Sequence, residues 1–230
     1  MPVSARVYIS VVSAAGATAI AYACFDSPWP AGLTRFLVYF LLSLLAATLK
    51  LRLPGLTGTM SIGFVFVLLG IAQLTLIETM AIACAGALVQ CLWRAQTRPA
   101  PVQVLFSVSA VAVSLALAAR GAESIGSAGR MPPVSALMAV AASLYFAANS
   151  LLVSGVLSLV KRQPLRTVWQ QCFLFAFPYY LLGGAIAGLM TVSARDIGWQ
   201  PSLLMLPVMG LIYFFYRVYL GRVAVVADSQ

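Results

Sequence analysis

Residues 48–94 constrain what this chain can fold into: TLKLRLPGLTGTMSIGFVFVLLGIAQLTLIETMAIACAGALVQCLWR. Lys50 and Arg52 precede a Pro54-Gly55 turn, and between Leu56 and Trp93 the single charge is Glu78. One membrane helix takes about 20 apolar residues, so the run has the length of two. Glu78 marks the point where the chain turns back. The stretch reads as a helical hairpin with cations at both open ends and an acid at its tip. Every other apolar segment has to be oriented to agree with it.

Composition then sets the class. Hydrophobic residues make up 62% of the 230 and charged residues 8%, with a mean hydropathy of +0.99. A soluble domain carries roughly 25% charged residues. Lipid offers no partners to unpaired backbone groups, so only helices or closed barrels cross it. A barrel needs alternating segments of ~10 residues, whereas these runs are continuous and longer. The expected fold class is all-α: a single polytopic membrane bundle of about eight helices, with the lipid bilayer as its first partner.

The spans are expected at residues 7–25, 33–48, 58–76, 78–93, 102–119, 134–160, 172–192 and 203–220. Breaks between them carry turn chemistry, such as Asp26-Ser27-Pro28-Trp29-Pro30 and the Gly- and Ser-rich stretch from Arg120 to Pro133. Arg6 and the Ala21-Tyr22-Ala23 triplet also fit a secretory signal. The first apolar segment is longer than the ~7–15 residues of a signal core, which favours a retained helix.

Charge orders these spans. With the N-terminus in the cytoplasm, alternation puts Arg6, Lys50, Arg52, Arg94, Arg98, Lys161, Arg162, Arg166, Arg217 and Arg222 inside. Only Arg35, Arg120, Arg130 and Arg195 fall outside, with Asp26, Glu78, Glu123 and Asp196; Asp228 alone is an inner acid. The whole net charge of +9 thus collects on the inner side, as the positive-inside rule requires. The expected location is the inner membrane, both termini cytoplasmic. Because the cations sit at helix ends and do not cluster, the basic balance is topology and not a nucleic-acid surface.

Candidate binding residues are the polar ones the spans cannot easily hide. Glu78 is an acid beside a membrane helix, a costly and often functional placement. A plainer reading puts it at a wet outer turn, stabilised by the positive end of the following helix dipole. Thr57, Thr59, Ser61, Gln73 and Gln90 lie along the hairpin; they cap and glue helices together or line a ligand cavity. Asn149, the only asparagine, needs a partner from another helix, and Ser143, Ser150 and Ser154 extend its polar face. In FLFAFPYYLLGGAIAG, Pro178 is expected to kink the helix. Tyr179 and Tyr180 offer hydroxyls at the kink, and Gly184 and Gly188 permit close helix approach.

No catalytic or metal set is present in the sequence. The chain has no histidine, no P-loop and no paired intramembrane carboxylates. Cys24, Cys84, Cys91 and Cys172 lie in or beside apolar runs without ligand spacing, and serve as small hydrophobes. No cofactor is expected, and an enzyme is the least supported class.

The run LKLRLPGLTGTMSIGFVFVLLGIAQLTLIETMAIACAGALVQCLWR, with WQQCFLFAFPYYLLGGAIAGL and LPVMGLIYFFYRVYLGR, resembles the N-terminal membrane region of bacterial cyclic di-GMP signalling proteins. Such regions precede GGDEF or HD-GYP output domains. The resemblance covers nearly the whole chain but rests on packing and turn patterns, without ligand residues. It implies a sensor whose last helix couples to an output. Neither output motif is present here, so the expectation is either a detached sensor-like module or an output partner on a separate polypeptide.

The leading expectation is therefore a non-enzymatic membrane sensor or scaffold that relays a membrane or extracytoplasmic signal to a cytoplasmic signalling protein. The alternative is a small-molecule transporter or substrate-binding membrane subunit, similar to the binding components of energy-coupling-factor importers, with ATPase subunits as partners. In that case substrate would sit among Thr59, Ser61, Gln73, Gln90 and Asn149. A purely structural subunit and a homo-oligomer are both compatible with so few polar residues in the spans.

Overall fold

The computed structural model describes residues 2–26, 32–52, 59–93, 99–126, 133–172, 177–198, 200–204, 207–208, 210–211 and 214. The fold is helical apart from one short ribbon. Its helices are α1 (Val3–Asp26), α2 (Leu33–Thr48), α3 (Phe64–Gln73), α4 (Leu76–Leu92), α5 (Pro101–Gly126), α6 (Val134–Lys161), α7 (Leu165–Cys172) and α8 (Phe177–Ile197). A 3-10 turn, Gln200–Leu204, follows. Between α2 and α3, β1 (Lys50–Arg52) pairs antiparallel with β2 (Thr59–Ser61), Lys50 opposite Ser61 and Arg52 opposite Thr59.

Among the described residues four helices, α1, α5, α6 and α8, are long and apolar enough to cross a membrane. The apolar helices α2, α3 and α4 are shorter, at 16, 10 and 17 residues. The bundle's exterior suits lipid: Leu33, Leu37, Leu41 and Leu45 form an exposed stripe at four-residue spacing on α2, and Val3, Val7 and Val11 another on α1. In a bilayer such faces meet hydrocarbon, so exposing them costs nothing.

Residue contacts fix the relative directions. Tyr8 meets the Phe106 ring, Gly16 lies on Ser109, and Tyr22 receives a hydrogen bond from Arg120, so α1 and α5 run parallel. Phe64 meets Tyr180 while Gln73 bonds Thr191, which makes α3 parallel to α8. Tyr145 also meets Tyr180, and Met138 lies against Gly184 and Gly188, so α6 runs the opposite way. Within these pairs the relative directions agree with the alternation expected from charge.

Two sequence expectations are corrected. The third segment is not a helix from residue 58: Thr59–Ser61 is strand and α3 starts at Phe64. At 10 residues α3 is about 15 Å long, half the ~30 Å hydrocarbon core. Every residue from Phe64 to Gly70 is buried, as befits a helix apolar on all sides. The fifth segment continues as helix to Gly126, where Arg120 and Glu123 form an exposed i,i+3 ion pair at 3.4 Å. In the seventh segment α7 runs to Cys172 and α8 is described from Phe177, residues 173–176 lying outside the described residues. Pro178 is the second described residue of α8, and the preceding turn that a kink would involve, 173–176, lies outside the described residues. Most of the eighth segment, 203–220, lies outside the described residues.

Candidate functional site

At the end of α3 the apolar pattern stops, and polar residues from three helices meet. The Tyr39 hydroxyl of α2 donates to Gln73 Oε1 at 2.8 Å, and Gln73 Nε2 donates to Thr191 Oγ1 of α8 at 3.3 Å. Thr191 in turn donates to the Ala187 carbonyl one turn back, at 2.8 Å. Tyr39 is fully buried and Thr191 nearly so. Gln73 itself is half-buried, and losing either partner leaves one end of its amide without that bond.

Directly beyond lies the turn into α4. Thr75 is its N-cap: the hydroxyl accepts from Glu78 N at 3.4 Å, and Thr75 N donates to Glu78 Oε2 at 2.8 Å. This reciprocal pattern is a capping box. The Thr75 hydroxyl also donates to the same Oε2 at 2.9 Å. Glu78 Oε1 has no partner among the described residues and is buried, in a residue only 4% exposed. The capping reading of Glu78 holds, but the wet outer tip does not. Thr79 packs against Gly70 and closes the hairpin from the other side.

A second group lies halfway along α6. Asn149 neighbours the Tyr180 side chain. Tyr180 stands beside Phe64 (ring centroids 4.6 Å apart), Phe146 (5.1 Å) and Tyr145 (6.2 Å). Tyr179 faces Phe64 at 5.1 Å, and its buried hydroxyl has no partner. These rings seat the start of α3 against the start of α8. Gly183 makes room for Phe64, since a Cβ there would overlap the ring.

Five of the eight sequence-derived candidates fall in these two places. Gln73 and Glu78 flank the α3–α4 turn. Asn149, Tyr179 and Tyr180 share the aromatic group. Thr59 and Ser61 form β2, two residues before α3 begins, and Gln90 is half-buried near the end of α4. Tyr39, Thr75 and Thr191 are the participants that sequence reasoning missed. Thr75-x-x-Glu78 carries the capping-box spacing; Tyr39 and Thr191 carry no signal beyond being hydroxyls in apolar runs.

A groove of about 450 Å³ also opens between α6 and α8, lined by residues such as Val134, Ala139, Leu181, Leu189 and Val192. Its apolar walls include none of the polar candidates. Among the described residues no group of three or more Cys, Asp or Glu side chains is placed to hold a metal ion. No protein-family model matches this chain, and no curated protein or solved structure does either.

Proposed function

We propose that this chain is a non-enzymatic membrane sensor or scaffold module, coupling a membrane or extracytoplasmic signal to a cytoplasmic partner in the bacterial inner membrane. The carrying observation is the Gln73 amide, bonded at once to Tyr39 of α2 and Thr191 of α8. A ligand or lipid that displaces either bond changes how α8 sits against α3. The chain leaves α8 through the turn at Gln200–Leu204 towards residues 203–220, the segment that would carry the change to a partner. Such a switch works only if the signal binds two states with different affinity. The resemblance to membrane regions of GGDEF and HD-GYP proteins points the same way.

A second reading has its own observation. Glu78 Oε1 and the Tyr179 hydroxyl are buried polar atoms without partners, and buried polar groups are normally satisfied. A solute donating to the carboxylate would satisfy one of them, which favours a substrate-binding subunit served by separate ATPases.

Thermal-shift screening of the detergent-purified protein against metabolites, vitamins, lipids and quinones tests both. A ligand of the native state raises apparent stability by mass action. A stabilising ligand whose effect is lost in Gln73→Ala, without uptake of that ligand by cells, supports the sensor. Protein-dependent uptake of the ligand supports the carrier. If no ligand's effect depends on Gln73, the network is structural and the sensor loses its carrying observation.

A further inference from the structure

The connection between α6 and α7 is short and fixed. Arg162 caps α6 in the left-handed region (φ 54, ψ 41), the one non-glycine with positive φ among the described residues. Its backbone N–H donates to the Ser158 carbonyl, and Gln163 N donates to the same oxygen at 3.2 Å. The Ser158 hydroxyl donates to the Gln163 carbonyl at 2.6 Å. Helix α7 then lies back along α6: Val168 is 1% exposed, and the Trp169 indole donates to Ser150 Oγ at 3.0 Å. With that edge committed to α6, Lys161, Arg162 and Arg166 are all exposed.

These three cations fall within six residues that contain no acid. The acids with described side chains lie towards the other end: Asp26 ends α1, Glu78 begins α4, and Glu123 lies in the last turn of α5. Arg6 of α1 shares the basic end, because Tyr8, two residues on, donates to the Leu152 carbonyl and lies against Gly155. Lys161 is the last residue of a helix long enough to cross a membrane, which sets the turn at headgroup depth.

We propose that the α6–α7 turn binds the phosphate headgroup of an anionic phospholipid through Lys161, Arg162 and Arg166. Guanidinium forks match phosphate oxygens in geometry and charge, and basic clusters at a helix end attract acidic lipid. Orientation bias alone would place cations here, but it does not require a turn locked by Ser158 and a helix clamped by Trp169. The proposal is independent of the sensor reading.

The test uses the full chain in neutral detergent, titrated with phosphatidylglycerol or phosphatidylcholine. Apparent melting temperature and lipid retained in native mass spectrometry are the readouts. Phosphatidylglycerol should be retained and stabilising, and phosphatidylcholine neither. Arg162→Gly removes the cation while keeping the left-handed backbone, which glycine adopts freely. Each cation removed should weaken retention about five-fold, and Arg162→Lys should keep most of it. Added salt should weaken retention by screening. Equal retention of the two lipids overturns the proposal. So does retention unchanged in Arg162→Gly and in the triple variant Lys161→Gln, Arg162→Gly, Arg166→Gln. Stabilisation by inorganic phosphate equal to that by the lipid also overturns it, since the site would then take a free anion.

Discussion

The Tyr39 hydroxyl and the Gln73 amide meet at 2.8 Å inside the bundle, and this bond fixes which way the amide points. With Oε1 held by Tyr39, the nitrogen is turned to Thr191. Tyr39→Phe should therefore lower stability through the stranded amide oxygen, by about 1–3 kcal/mol. Thr191→Val should cost a similar amount. Apparent melting temperatures of the two single variants and the double variant form a cycle. Coupling between positions on α2 and α8 is expected, because both act through one amide; strict additivity would show that Gln73 does not join them.

The Thr75–Glu78 pair makes a sharper claim about the hairpin. Thr75→Ala removes the N-cap hydroxyl and should destabilise by about 1 kcal/mol. Thr75→Ser keeps it and should stay close to the parent. Glu78→Gln keeps an oxygen for the Thr75 N–H bond and should be tolerated better than Glu78→Leu, which leaves that N–H without its partner. Thermal unfolding of the four variants in one detergent checks the order.

How much of this was legible follows from what each signal depends on. The apolar helices could be read because run length and break chemistry are local properties. The relative directions of α1 and α5, of α3 and α8, and of α6 and α8 agree with the alternation read from the cations. Depth could not, since hydropathy gives the length of a run and not what surrounds it. Glu78 therefore reads as a wet tip, although tertiary packing buries it and only its capping role is local. The triplet Lys50-Leu51-Arg52 alternates as a strand does, but three residues are too few to tell from a loop. Helix α7 escapes notice because Leu165–Cys172 has one buried edge and a polar remainder, and eight residues rarely announce themselves. Tyr39 and Thr191 join the site only because helices far apart in sequence bring them to one amide.

The clamp on α7 has its own measurable consequence. Trp169 gives its indole N–H to Ser150 and lies 6.4 Å from the Phe146 ring, centroid to centroid. Trp169→Phe keeps an aromatic body and loses the hydrogen bond; Trp169→Ala loses both. Protease nicking around residues 163–170 in the folded protein should rise slightly in the first and strongly in the second, since local opening governs cleavage. Equal nicking in all three proteins would mean that α7 is not held by this residue.

The glycines of α8 separate three kinds of contact along one helix. A Cβ at Gly183 would fall on the Phe64 ring, which Tyr179 and Tyr180 already flank. At Gly184 a Cβ would stand 3.0 Å from Ala142 Cβ and 3.2 Å from the Met138 carbonyl, which is tight and partly against backbone. At Gly188 the nearest atom is Met138 Cγ at 3.5 Å, an ordinary contact. Gly188→Ala should therefore be neutral or stabilising, as alanine suits a helix interior better than glycine. Gly184→Ala should fall between, and Gly183→Ala should cost about 1–3 kcal/mol as overpacking. Because the obstruction at Gly183 is a side chain, Phe64→Leu in the same molecule should recover part of the loss. Melting temperatures in the order Gly188→Ala, Gly184→Ala, Gly183→Ala, with that recovery, would establish that the start of α3 is seated against α8. Loss at Gly183 without recovery would place the strain in the backbone of α8 and not at Phe64.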